Sequence, residues 1–143
     1  YGALRLAFRR PDLFGSVATH SAAIVAQLPA VDTASNARGP LRLFANTFGS
    51  PVDRAFWDRN NPVALARAAA LAGLKIYFDC GSQDDYGFDS GAQALHNLLV
   101  SRKATHEFHL YPGGHNWLYF AEHLPASLAF ESRAFGLSGS AAR

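Results

Sequence analysis

The chain has 143 residues, enough for one domain with a sizeable core and too few for two ordinary ones; at 49% hydrophobic and 17% charged it is neither disordered nor fibrous. A net charge of +2, with no basic run longer than Arg9-Arg10, excludes a nucleic-acid-binding stripe. Its single cysteine excludes an intramolecular disulfide and a cysteine zinc site, and no apolar run approaches the roughly 20 residues of a membrane-spanning helix.

Tyr1 to Arg10 is apolar at most positions and ends in Arg-Arg-Pro-Asp, the pattern of a short helix with a basic C-terminus and a proline stop. No Ser, Thr, Asp or Asn precedes it as a cap, and the chain contains no Met, so a longer protein that continues upstream of Tyr1 is expected. Gly15 to His20 is a short β-compatible run of the buried type. From Ala22 to Asn61 the pattern weakens. Pro29, Gly39-Pro40 and Gly49-Ser50-Pro51 break it into pieces that suit a variable loop or cap-like segment with short helices.

Pro62 to Ala72 is alanine-rich, with Asn61 placed to cap a helix and Pro62 in its first turn. Leu74 to Cys80 is the clearest strand. Ser90 to Arg102 is an amphipathic helix with Ala94, Leu95, Leu98 and Leu99 on one face. Thr105 to Tyr111 alternates Phe108 and Leu110 against Glu107 and His109, as a half-buried strand does. Asn116 to Phe135 forms a last helix, and residues 137–143 a small-residue tail that frays. Strands alternating with helices of this length imply an α/β fold with a parallel sheet and right-handed crossovers.

In open α/β sheets, ligands bind outside the carboxyl ends of the strands. Two polar motifs stand there: Gly81-Ser82-Gln83-Asp84-Asp85 after one strand and Pro112-Gly113-Gly114-His115 after the next. An acid and an imidazole on neighbouring strand ends could share a proton, the acid holding one ring nitrogen and leaving the other as a base. Asp84 is the first candidate for the acid and Asp85 the second. No nucleophile accompanies them. The nearest match to a nucleophile elbow, Gly136-Leu137-Ser138-Gly139-Ser140, lacks the final glycine and follows a helix where an elbow follows a strand.

The segment Tyr1-Gly2-Ala3-Leu4 to Leu13-Phe14, the Gly81 to Asp85 turn and Tyr111-Pro112-Gly113-Gly114-His115-Asn116-Trp117 together resemble the α/β-hydrolase "putative esterase" family. That family includes esterase D-like, enterochelin esterase-like, feruloyl and acetylxylan esterases and the antigen 85 mycolyltransferases. The resemblance covers most of the chain except about residues 25–60. It implies that residues 1–136 are the C-terminal portion of one α/β-hydrolase domain, with about 22–61 as its variable segment. The early strands, the oxyanion-hole donors and a nucleophilic serine about four residues before Tyr1 would lie upstream.

His115 would then be the base and Asp84 its orienting acid in a serine esterase that needs no cofactor. A small-molecule or carbohydrate-linked ester is the implied substrate. Alternatives are an acyltransferase of antigen 85 type and a non-catalytic binding protein on a hydrolase scaffold. The 143-residue chain alone is expected to be inactive.

Other polar and aromatic residues complete the candidate set. His20, at a strand end, Trp57 and Trp117 are candidates for contacting substrate; Phe44, Phe48 and Phe56 are candidates for a pocket lining, against a plain core role. Cys80 reads as a small buried hydrophobe with an unreactive thiol. His96, His106, His109 and His123 show no spacing that pairs them as metal ligands, so no metal is expected.

Overall fold

The computed structural model describes residues 1–27 and 40–137. In chain order these form α1 (Gly2–Arg9), β1 (Ser16–His20), α2 (Pro40–Phe48), α3 (Arg54–Asn60), α4 (Pro62–Ala68), β2 (Lys75–Gly81), α5 (Phe88–Ser101), β3 (His106–Tyr111) and α6 (Trp117–Ala134). The expected break at Pro29 and the tail beyond Leu137, with Ser138 and Ser140, lie outside the described residues.

The three strands form one parallel sheet in the order β1-β2-β3, with Val17 opposite Ile76, His20 opposite Asp79, and Gly81 opposite Tyr111. Parallel sheets are covered on both faces, and a central strand then reads as a continuous apolar run. β2 obeys this: Ile76 to Gly81 is buried throughout. Its alternate residues serve different helices. Ile76, Phe78 and Cys80 join Leu4 and Phe8 of α1, Val63 and Ala66 of α4, and Leu95 and Leu99 of α5 in one core cluster. Tyr77 and Asp79 point the other way, to Phe130 and Tyr119 of α6. Each Leu or Phe fully buried in that cluster contributes about 1.5–3 kcal/mol of hydrophobic stabilisation.

β3 is half-buried at every position but Leu110. Glu107, with 43% of its side chain exposed, and His109 lie on the opposite face of the strand from Phe108. Glu107 takes a salt bridge from Arg133 of α6, and His109 packs on Tyr77 and Tyr111, whereas Phe108 stacks on Phe78 and His96 on the α5 side. Leu110, expected on the buried face, is 44% exposed.

Helix boundaries follow local chemistry. Asn61 Oδ1 accepts from the backbone N–H of Val63 and Ala64 at 2.8 and 3.1 Å, while its Nδ2 donates to Val25 O at 2.7 Å. The cap therefore also ties α4 to the chain after β1. α4 stops four residues earlier than its alanine run, because Ala69 turns extended. The Arg102 guanidinium then donates to Ala66 O and Ala69 O, satisfying carbonyls the helix leaves open. α5 starts two residues before Ser90 and its buried face is Gly91, Ala92, Leu95 and Leu99, rotated from the expected one.

Between β1 and α4, Phe44, Phe48, Phe56 and Trp57 pack on each other at centroid distances of 4.8–5.8 Å. Tyr1, at the N-cap of α1, and Arg5 within it bind Asn60 of α3, fastening this aromatic cluster to the first helix.

Candidate active site

The β2–β3 pairing continues past the strand ends. Ser82 N donates to Tyr111 O at 2.7 Å and Gln83 N to Gly113 O at 2.9 Å, so the two loops are laced together before either functional side chain is reached. This lacing needs a bare Gly81, because a Cβ there would stand 2.9 Å from the Gly113 carbonyl carbon and closer still to its oxygen. Gly113 itself has φ +132°, a conformation L side chains rarely adopt.

Asp84 turns inward from this frame. Its carboxylate is fully buried and Oδ2 lies 2.9 Å from His115 Nδ1. Oδ1 accepts the backbone N–H of Tyr86 at 3.0 Å, with that of Phe88 at 3.5 Å, so the carboxylate cannot swing away. A carboxylate only accepts, so Nδ1 carries the imidazole proton and Nε2 presents its lone pair. Nε2 has no partner among the described residues. The ring is 25% exposed and is held edge-on by Tyr86, Phe88 and Phe120 at centroid distances of 4.9, 5.7 and 5.3 Å.

Asp85 serves the same histidine differently. Its Oδ2 accepts the backbone N–H of His115 at 3.3 Å and does not meet the ring. The turn thus assigns the imidazole to Asp84 and the loop backbone to Asp85.

A second aspartate–histidine pair lies behind the first. Asp79, with a fully buried carboxylate, sits with Oδ2 2.7 Å from His20 Nδ1, though out of line for a hydrogen bond. His20 Nε2 is 2.7 Å from Ser127 Oγ. Acid, imidazole and hydroxyl follow in the order of a nucleophilic triad, yet Ser127 is 5% exposed inside α6 and its hydroxyl donates to Leu124 O at 3.0 Å. No ester can reach it. His20, a candidate for substrate contact, therefore has both ring nitrogens turned to buried partners.

Trp57 and Trp117 are not brought together. Trp57 is 4% exposed in the aromatic cluster and touches a cleft of about 340 Å³ whose lining includes neither Asp84 nor His115. Trp117 opens α6 two residues after His115 and is 82% exposed. Asn116 caps that helix by accepting from Tyr119 N at 3.0 Å.

The aromatic residues round His115 escaped the sequence reading. Tyr86 and Phe88 follow Asp84 within four residues, and Phe120 lies one helical turn beyond the cap, so closeness to the two motifs was the available signal. Two of the other histidines meet: His96 Nδ1 lies 2.8 Å from His106 Nε2, while His106 Nδ1 donates to Ala104 O. α5 and β3 run back to back, which brings residues ten apart into contact. Burial and the neighbouring His106 hold the His96 imidazole below its usual pKa. Among the described residues, no group of three or more His, Cys, Asp or Glu gathers as metal ligands.

Cys80 is fully buried, and burial first, then the Asp84 carboxylate, push its thiol up to about 12. No described helix is long and apolar enough to cross a membrane.

A family model described as "Putative esterase" matches residues 1–130. No curated protein matches. Among solved structures, a ferulic acid esterase is 21% identical with a TM-score of 0.67, covering 94% of this chain and 48% of its own. An S-formylglutathione hydrolase from Agrobacterium tumefaciens is 14% identical with a TM-score of 0.70, covering 93% and 45%. A fluorophosphonate-binding serine hydrolase of Staphylococcus aureus is 19% identical with a TM-score of 0.64, covering 91% and 49%. These likenesses are of fold, and the chain spans about half the length of each of these proteins.

Proposed function

The chain belongs to the "Putative esterase" family, and on that premise we propose that it carries the acid, Asp84, and the base, His115, of a serine carboxylic-ester hydrolase. The observation that supports this most is the 2.9 Å contact between His115 Nδ1 and the buried Asp84 carboxylate, which leaves Nε2 as the free base at the carboxyl edge of a parallel sheet.

In this reading a serine upstream of Tyr1 attacks the ester carbonyl carbon, and its hydroxyl proton passes to His115 Nε2. The tetrahedral intermediate collapses, the C–O bond to the alcohol breaks, and Nε2 returns the proton to the leaving alkoxide. Water then repeats the sequence on the acyl-serine, releasing the acid and restoring the serine. Asp84 holds the imidazole in the tautomer with Nε2 unprotonated and stabilises the imidazolium formed in each half-reaction. The rings of Tyr86, Phe88 and Phe120 flank the imidazole and displace part of the surrounding water, which strengthens charge interactions at the ring. General-base assistance of this kind is worth about 10²–10⁴ in rate.

Fluorophosphonate labelling of the complete protein, followed by peptide mapping, tests the reading. The label is expected on a serine upstream of Tyr1, with labelling lost in His115→Ala. A label on Ser127 or any other serine of this chain would sink it. With p-nitrophenyl acetate and a sugar acceptor, acetate is the expected product; an acetylated sugar as the main product would instead make the protein an acyltransferase.

A further inference from the structure

We propose that Tyr119 is a positioning residue for His115, set at a fixed depth by its hydrogen bond to the buried carboxylate of Asp79. The proposal rests on His115 being the base. Tyr119 is 3% exposed and touches the His115 loop on both sides. Before the histidine, its ring lies directly under Gly113, with Cδ2 2.9 Å from where a Cβ on that residue would stand. After it, Tyr119 N donates to Asn116 Oδ1, and Asn116 N donates to Gly114 O at 3.1 Å. The loop's height over the sheet is therefore set by where this ring sits.

The hydroxyl decides that. Tyr119 Oη donates to Asp79 Oδ1 at 2.7 Å, while Tyr77 Oη donates to Asp79 Oδ2 at 2.8 Å. Asp79 stands on β2, five residues before Asp84. One strand thus holds the acid directly at its end and the base indirectly through Tyr119, so both are referenced to the same backbone. Burial first, and then Asp79, push the Tyr119 hydroxyl far above its usual pKa, so it stays a donor across the working pH range. A phenylalanine would pack under Gly113 equally well; only the anchored hydroxyl fixes the depth. Burying a carboxylate is costly unless it is fully hydrogen-bonded, which makes this arrangement an expensive way of merely filling a core.

The test is steady-state hydrolysis of p-nitrophenyl acetate by the complete protein. Tyr119→Phe is expected to lower kcat between about 10-fold and 100-fold, as small misplacements of a catalytic group do, with KM within about twofold and an unchanged circular dichroism spectrum. In a His115→Ala background the same substitution should cost nothing further, because a residue acting through another loses its effect when that other is gone. Asp79→Asn keeps an acceptor for the hydroxyl and should lose less than Asp79→Ala. Parent-like kcat in Tyr119→Phe overturns the proposal. So does an equal loss in the His115→Ala background, and so does loss of folded protein, which assigns the hydroxyl to the fold. If His115→Ala itself retains most activity, the base assignment fails, whatever Tyr119 does.

Discussion

Asp84 and Asp85 are adjacent in sequence, yet the Gly81–Gly87 turn sends one carboxylate inward to the imidazole of His115 and leaves the other outside on its backbone N–H. Replacing Asp84 with Asn offers Nδ1 a donor and turns the tautomer over, so kcat should fall on the order of 10⁴-fold. Asp85→Asn keeps an acceptor for the N–H and should cost less than about tenfold, since positioning without charge survives. Steady-state rates of the two variants make the comparison. The two tryptophans divide as sharply: Trp57→Ala should destabilise by about 3–5 kcal/mol as a core truncation, and Trp117→Ala by under about 0.5 kcal/mol, both read by urea denaturation.

Cys80 gives the pH test. Its folded thiol holds the proton up to about pH 12, whereas an unfolded one releases it near 9. The thiol's contribution to stability is thus fully present below about pH 9 and is lost as pH rises toward 12. Iodoacetamide at pH 8 should leave the native thiol unmodified and alkylate it in denaturant; rapid native alkylation would contradict the burial.

At the scale of elements, the site depends on two loops being zipped by Ser82 N to Tyr111 O and Gln83 N to Gly113 O. Gly81→Ala should separate them and cost about 1–3 kcal/mol by overpacking, with activity falling further than the melting shift explains. Asn61→Ala tests the α4 cap, and a loss of at least about 1 kcal/mol is expected, because the same side chain also binds Val25 O.

What was legible at this scale was what local chemistry controls. β2 shows as an apolar run, α4 and α6 announce themselves by Asn61-Pro62 and Asn116, and Asp84 and His115 stand at strand ends. What was not legible came from tertiary contact. α5 begins two residues before Ser90, at a glycine N-cap, Gly87 with φ +71°. Alternation of Glu107 and His109 with Phe108 and Leu110 cannot report that Arg133 of α6 pairs with Glu107 or that Tyr77 and Tyr111 pack on His109. The rings of Tyr86, Phe88 and Phe120 meet His115 only once the loops are laced.

At the scale of the molecule, β1 pairs with β2 alone among the described residues, and α6 exposes Trp117, Leu118, Leu124 and Leu128. An open strand edge and a contiguous apolar face are both association hazards. With the chain spanning about half of its solved relatives, the 143 residues by themselves should aggregate, bind 1-anilinonaphthalene-8-sulfonate and lack esterase activity. A soluble, active preparation of this chain alone would contradict that.

The central claim, that His115 is the base of an ester hydrolase, is tested most directly by kcat/KM for p-nitrophenyl acetate in the complete protein carrying His115→Ala. A fall on the order of 10⁴-fold or more, with the fold intact by circular dichroism, is predicted from the loss of a triad member. Activity within about tenfold of the parent would contradict the account, because general-base assistance alone is worth more than that.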